Sequence, residues 1–547
     1  MKTWAGLPIL LILALLLRLP GAFWELPDVK VHLGSFHPDE AHLVHNAYGI
    51  AASGDLNPHQ FSYGSLIYYL DALLFFAGNE LGLLAPWFPD RIYLTARLVT
   101  VLFGVFSILL VFLLGRRLFG TACAWIGAAL ATVAPGHVMH SGYATTDVPA
   151  IFFMLLALWA AVRSLDDSSQ KWILIGGIAT GLAAGTKYPA GIVLLPVLAA
   201  IPIAGRPWRL VWKPLLLAAL VFLTTTPYCL LAFDEFWRHF YGSMRHARTG
   251  HFLVFAGVGN GLWYQLTRVL PFMLGWPLLL AGLLGVLLQC LRRTKTDLVV
   301  LALFLPSFLY LSTSHNHFLR YSLPLAPILC MTGAEAIERA IARSAPRERL
   351  AGGIASVTVF GFTLCLTCVQ IAALLRTDPR TAAFEWLDRN SSEQASIGLI
   401  EYPHAWHPPL TPFNAGKTSQ PEVERRERSG QARFRLVICE GWDLGLLEER
   451  RPDYFVLSEF DWRDEERLHG RTDEIRFPDG YEELEALLRK RVDDAHSFRE
   501  SLERDYELAV RFENMPGWQR RLFGRSFVPH DWLYAFPEIR VYRRLDR

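Results

Sequence analysis

The chain has 547 residues, of which 52% are hydrophobic and 19% charged, with a formal net charge of +2. An ordinary soluble protein carries roughly 25% charged residues, and about two thirds of all Asp and Glu here fall after Arg376. That split excludes a uniformly soluble protein and predicts a polytopic membrane portion followed by a soluble tail. The seven cysteines form no disulfide framework. Six lie in apolar runs, and the CxxC of Cys365 and Cys368 sits inside one of them, where it reads as packing. No nucleic-acid partner is expected.

Residues 1–24 begin with Lys2 and the apolar LPILLILALLL, as a signal peptide does. No A-x-A-like cleavage site follows, and Arg18 and Trp24 close the run, so an uncleaved first span is expected. A span needs roughly 20 mostly apolar residues. Read on that scale, the apolar segments lie near 5–24, 93–115, 121–140, 147–162, 172–186, 188–205, 214–231, 266–290, 297–313, 321–341 and 350–375, giving about eleven spans. With the N-terminus cytoplasmic, alternate loops carry Arg116 and Arg117, then Arg163 and Lys171, then Arg206, Arg209 and Lys213. Next come Arg292, Arg293 and Lys295, and last Arg339, Arg343, Arg347 and Arg349. Every loop assigned to the inside is basic, as orientation in a membrane requires.

Residues 25–92, 141–146, 232–265 and 314–320 then face outward, with the tail. The first outer loop, 25–92, contains FHPDEAHLVHNAYGI and the aromatic stretch YGSLIYYLDALLFFAG with Asp71 and Asn79, which reads as a helix lying at the membrane surface. The loop from Phe233 to Gln265 mixes aromatics with Arg238, His239, Arg245, His246, Arg248 and His251. Long ordered loops of this kind carry function. In the tail, TAAFEWLDRN and YEELEALLRKRVDDAHSF read as helices. ASIGLIEY, FRLVICEG, PDYFVLSEF, ELAVRFEN and EIRVYRR read as strands of an extracytoplasmic α/β domain over 376–547. The tail shows no Gly-rich phosphate loop and no zinc-ligand spacing, and the RRER run at 425–428 reads as a solvated surface.

Asp39 and Glu40 stand at a helix start, where Pro38 suits the first position and acids complement the helix dipole. Asp147, in HSGYATTDVPAIFF, opens another helix on the same side, with Thr145 or Thr146 before it and Pro149 early in it. The same side offers Lys187 in GTKYPAG, Arg97 about a turn inside the second span, and Arg320 in SHNHFLRYSLPLAP. Each cation alone is well explained as an interfacial side chain. Together they suit an anionic, lipid-linked substrate: a carboxylate takes a proton from an attacking hydroxyl, and Lys and Arg hold a phosphate as it leaves. A divalent metal is a further option, since Asp39, His42 and Asn46 share one helical face, with His37 and His45 close.

The order of one span, a loop with an Asp-Glu pair, YGSLIYYL, ARLVTVLFG, GRRLFG, HSGYATTDVPAIFF, GLAAGTKYPAG and HFLRYSLPLAP resembles the bacterial membrane glycosyltransferases of the GT-C fold. Protein O-mannosyltransferases and lipid A aminoarabinose transferases are among them. The resemblance covers about 1–375. It implies a mainly α polytopic enzyme of the inner membrane that moves a sugar from a polyprenyl-phosphate donor to a lipid, glycan or protein acceptor outside, with inversion and without a required cofactor. It further implies a catalytic set of Asp39, Glu40 and Asp147, with Asp39 as the base and Glu40 positioning the acceptor or holding a partner cation. Lys187, Arg320, Tyr321 and Arg97 would surround the carrier phosphate. A secondary transporter or a flippase of lipid-linked sugars is the alternative; paired internal repeats, which a transporter shows, are not evident by eye.

Overall fold

The computed structural model describes residues 6–28, 34–84, 89–167, 169–342, 346–411, 432–517 and 528–545, with isolated positions between 421 and 430. Lys2, Arg343 and the centre of the RRER run lie outside the described residues, as do the side chains of Arg347 and Arg349.

Each expected apolar segment is helical, but several are shorter or more broken than single spans. The helices are α1 (Leu7–Ala22), α2 (Pro38–Ser53), α3 (Leu66–Glu80), α4 (Pro89–Phe119), α5 (Thr121–Thr132), α6 (Pro135–Ser141), α7 (Asp147–Arg163) and α8 (Lys171–Thr186). A 3-10 turn, Tyr188–Val193, leads into α9 (Leu194–Ile203), then α10 (Trp212–Thr225), α11 (Tyr228–Leu231) and α12 (Phe233–Arg248). After these come α13 (Gly261–Tyr264), α14 (Leu270–Leu274), α15 (Trp276–Arg292), α16 (Lys295–Thr313), α17 (Leu319–Ser322), α18 (Leu325–Ile341) and α19 (Pro346–Leu374). Among the described residues, 4 helical stretches are long and apolar enough to cross a membrane, or up to 6 if each bent pair counts as one. The expected count of about eleven is corrected to that extent. The physical reason is length: α7 has 17 residues and α8 has 16, rising roughly 25 Å against a hydrocarbon core of about 30 Å.

Two expected spans are bent. The segment 121–140 turns by 57° between α5 and α6, where Pro135 starts a new helix. The segment 266–290 turns by 115°. There Gly275 takes φ +82°, a conformation open to glycine, with Phe362 and Leu366 of α19 against it.

The core is one large cluster in which α15 packs along α18, and α8 lies between α7 and α10. The basic loops gather at one end. Arg117 pairs with Asp166, Arg206 donates to the carbonyls of Ser164 and Ser169, and Arg292 pairs with Asp297 and Glu335 while lying over Phe119. Asp39, Asp147, Lys187 and Arg320 stand at the opposite ends of their helices.

In the tail, α20 (Pro379–Asn390) precedes a mixed five-stranded sheet: β1 (Ser396–Leu399), β2 (Arg435–Ile438), β3 (Tyr454–Ser458), β4 (Tyr506–Phe512) and β5 (Ile539–Arg544). The order is β2-β1-β3-β5-β4, parallel among the first three and antiparallel where β5 meets β3 and β4. All four residues of β1 are buried, as a central strand requires. The expected strand PDYFVLSEF stops at Ser458. Ser458 and Asp461 form a capping box there, and Glu459–Leu468 is a helix. The chain then returns to the apolar body: Val528, Trp532, Leu533, Ala535 and Phe536 belong to the main core cluster, with Trp532 against Phe272 at 5.7 Å. Contacts therefore cross the sequence boundary at 375.

Close backbone approach sets the loop after α2. A Cβ at Gly64 would lie 2.1 Å from the Gly185 carbonyl oxygen. Gly64→Ala is expected to destabilise the protein by about 1–3 kcal/mol, seen as a lower thermal midpoint in detergent. Gly242→Ala, inside α12 with nothing within 4 Å of its Cβ, is expected not to lower the midpoint and to raise it slightly through helix propensity.

Candidate active site

The site begins with the cap of α2. His37 is extended, and its Nδ1 accepts the Asp39 N–H at 3.3 Å, with Pro38 in the first helical position. Successive residues of a helix point about 100° apart, so the adjacent acids face different surroundings.

Glu40 points inward. It and Arg97 of α4 are fully buried and bound as a fork: Nε donates to Oε1 and Nη2 to Oε2, each at 2.8 Å. Glu40 also accepts the Ala144 N–H at 2.6 Å and the Ser35 hydroxyl. Arg97 Nη1 donates to the Ala22 carbonyl at 3.3 Å and to that of Trp24. Burial pushes the Glu40 carboxyl up, but the Arg97 charge and its hydrogen bonds, with His37 and Ser35, hold it below its ordinary 4.5.

Asp39 points to the other side. Its side chain is 20% exposed, and Oδ2 lies 3.3 Å from Arg320 Nη2 without a hydrogen bond. Burial raises this carboxyl too, yet Arg320, His37, Lys187 and His42 together bring it below 3.8. Lys187 sits on Asp147 at 2.5 Å, both nearly buried. The two pairs meet at Tyr321: Lys187 Nζ is 4.9 Å and Arg320 Cζ 5.4 Å from the centre of its ring. Tyr63 lies under Lys187 at 5.8 Å.

Around these charges several buried polar atoms have no protein partner: His37 Nε2, both His140 ring nitrogens, the Tyr143 hydroxyl, and Oγ1 of Thr145 and Thr146.

The structure thus brings Asp39, Asp147, Lys187, Arg320 and Tyr321 together, and sets Glu40 with Arg97 behind them. Tyr63, His140, Tyr534 and Asp531 escaped the sequence reading. Arg320 Nη1 donates to the Tyr534 hydroxyl at 3.1 Å, and Asp531 accepts the backbone N–H groups of Leu319 and Arg320, both at 2.9 Å. More than two hundred residues separate these partners, and no local pattern announces them.

The residues considered for a metal at α2 are placed as follows. Asp39, His37 and His42 gather no ligand group among the described residues. His37 spends Nδ1 on the helix cap, and its ring lies against Tyr143 and Tyr534 at 4.5 and 5.0 Å. His42 is exposed. In the tail, where no zinc-ligand spacing was expected, Glu401, His404 and His407 bring their ligand atoms within 4.8 Å of one another.

A family model for dolichyl-phosphate-mannose-protein mannosyltransferase matches residues 92–230. Undecaprenyl phosphate-alpha-4-amino-4-deoxy-L-arabinose arabinosyl transferase 1 of Pseudomonas fluorescens is 27% identical over 360 residues, covering 62% of this chain and 60% of that protein. The match thus spans less than two thirds of that relative's length. Among solved structures, ArnT of Cupriavidus metallidurans in the apo state aligns with a TM-score of 0.53 at 15% identity, over 86% of this chain and 95% of that one. AglB of Archaeoglobus fulgidus, an oligosaccharyltransferase solved with an inhibitory peptide and a dolichol-phosphate, gives 0.51 at 13% identity, over 83% and 69%. The fold is that of the GT-C membrane glycosyltransferases. The chain is a multi-pass membrane protein related to their protein-mannosyltransferase and ArnT families.

The Glu40–Arg97 pair makes stability depend on pH in a fixed direction. With the folded pKa lowered, the unfolded chain binds its proton first, so the contribution is full above about pH 4.5 and is lost as pH falls through the lower folded value. Glu40→Gln is expected to flatten that acid limb. Arg97→Ala, which leaves a buried charge unpaired, is expected to cost about 3–5 kcal/mol. Thermal unfolding in detergent from pH 7 to pH 3 measures both.

Proposed function

We propose that the chain transfers a sugar from a polyprenyl-phosphate donor to a hydroxyl-bearing acceptor at the outer membrane face, with Asp39 as the base. The carrying observation is the pair of ion pairs joined at Tyr321: an acid with an unbonded oxygen stands beside two cations. The donor class is supported by the relatives, one named for an undecaprenyl-phosphate sugar and another, ArnT, also solved bound to undecaprenyl phosphate. The basic loops collected at the opposite end support the orientation.

In this reading the carrier phosphate enters between Arg320 and Lys187. It competes with Asp39 for Arg320, and the freed carboxylate becomes more basic as the phosphate takes over the cation's charge. The acceptor hydroxyl attacks the anomeric carbon, and the bond from that carbon to the phosphate oxygen breaks. The electron pair leaves on the polyprenyl phosphate, whose charge the two cations stabilise, and the hydroxyl proton passes to Asp39. A single displacement of this kind inverts the anomeric centre and needs no second carboxylate as nucleophile. Asp147 holds Lys187 in place. Glu40 and Arg97 act as positioning residues that fix the start of α2, a role we assign in place of phosphate contact for Arg97.

Single-turnover release of sugar from labelled polyprenyl-phosphate donors tests the assignment. Asp39→Asn is expected to lower the rate by about 10²–10⁴-fold with the thermal midpoint unchanged, and Lys187→Ala to weaken donor binding. A normal rate in Asp39→Asn removes Asp39 as the base.

A further inference from the structure

We propose that Glu401, His404 and His407 form a binding site for a divalent transition metal of the zinc type, and that the metal orders the loop bracing Asp39. The stretch EYPHAWH spaces a carboxylate and two imidazoles three residues apart, on non-helical chain just after β1. One ligand atom from each lies within 4.8 Å of the others, and His404 Nε2 is already 2.9 Å from Glu401 Oε1. Two ligands on a tetrahedral zinc stand about 3.4 Å apart, so a small closure of side chains completes the set.

His407 distinguishes this group from a surface ion pair. Its ring is fully buried, Nε2 is paired with Asp461 Oδ1 at 3.1 Å, and Nδ1 has no partner. A buried imidazole with a carboxylate on one nitrogen and the other nitrogen unspent is the arrangement of a metal ligand and its outer support. Asp461 is itself fixed, since its other oxygen accepts the Ser458 N–H in the capping box. Two imidazoles and one carboxylate suit zinc and leave a fourth position for water.

The loop carrying these residues reaches the acid site through rings and one guanidinium. Trp406, between the two histidines, stacks on Phe460 at 4.2 Å and lies against Tyr534 at 5.1 Å. Tyr534 accepts from Arg320, which faces Asp39. Arg380 Nη1 donates both to the Ala405 carbonyl at 2.6 Å and to that of Phe36 at 3.3 Å. A metal that fixes residues 401–407 therefore fixes the surroundings of Arg320 without touching the reacting groups. This inference does not depend on the sugar-transfer reading.

The test uses the purified full-length chain, stripped with a chelator and titrated with Co²⁺ by its visible absorption, then competed with Zn²⁺. One equivalent per chain is expected in the wild type. Glu401→Gln and His404→Ala, both at partly exposed positions, are expected to lose affinity by more than the about 10–100-fold expected of Asp461→Asn. Asp39→Asn and His42→Ala are expected to bind as the wild type does. Hydrogen exchange of residues 400–410 is expected to slow on Zn²⁺ addition in the wild type, Asp39→Asn and His42→Ala, and to stay unchanged in Glu401→Gln and His404→Ala. Absence of saturable uptake, or uptake unaffected by Glu401→Gln and His404→Ala, overturns the site. Uptake lost in Asp39→Asn or His42→Ala overturns it in favour of the side chains of α2. Unchanged exchange overturns the ordering role.

Discussion

Glu40 and Arg97 have no contact with water, and the surrounding architecture is arranged to make that tolerable. A buried carboxylate or guanidinium alone carries a penalty of several kcal/mol. Here each is met by the other in a two-point fork, and the remaining capacity is filled by Ser35, the Ala144 N–H and the carbonyls at the end of α1. Four stretches distant in sequence are tied at one point: the close of α1, the first loop, α4 and the turn before α7. Asp39 follows one step before Glu40 on α2, and Asp147 three residues after Ala144. The backbone positions of Asp39 and Asp147 are thereby tied to one buried pair.

The cations obey a different constraint. Arg320 and Lys187 both lie against the ring of Tyr321, each with its own carboxylate, so the site holds charge in balance while remaining partly open. Arg320 is further held from behind by Tyr534, and its backbone by Asp531, both on the segment that returns from the tail. The tail sheet is thus coupled to the membrane portion. Its last turn before β5 completes the wall of the site, and its loop after β1 lies against that wall through Trp406.

Broken helices serve the same end. The bends at Pro135 and Gly275 interrupt apolar segments that would otherwise cross as single rods. The short piece α6 carries His140 against Tyr143, whose ring meets His37 beside the polar site. Non-helical backbone at membrane depth is tolerated where protein buries it, and Phe362 and Leu366 do so at Gly275.

The sequence by itself determined the partition into an apolar body and a charged tail, the helical character of each apolar segment, the five tail strands, and the side on which the basic loops collect. These follow from hydropathy, periodicity and charge, which are local. It also singled out Asp39, Asp147, Lys187 and Arg320, because charged groups at the ends of apolar runs stand out by composition alone, while Tyr321 was legible only through the family resemblance. Only the tertiary structure decided which acid faces which cation. Asp39 and Glu40 are neighbours in sequence, and nothing local says that one is buried on Arg97 and the other open to Arg320. That is set by the 100° turn between them and by what packs on each side. The partners Tyr534, Asp531 and Asp461 were illegible for the same reason. A side chain 54 residues away, as Asp461 is from His407, or more than two hundred, as Tyr534 is from Arg320, leaves no trace in local pattern, and its role exists only once the core has brought it back.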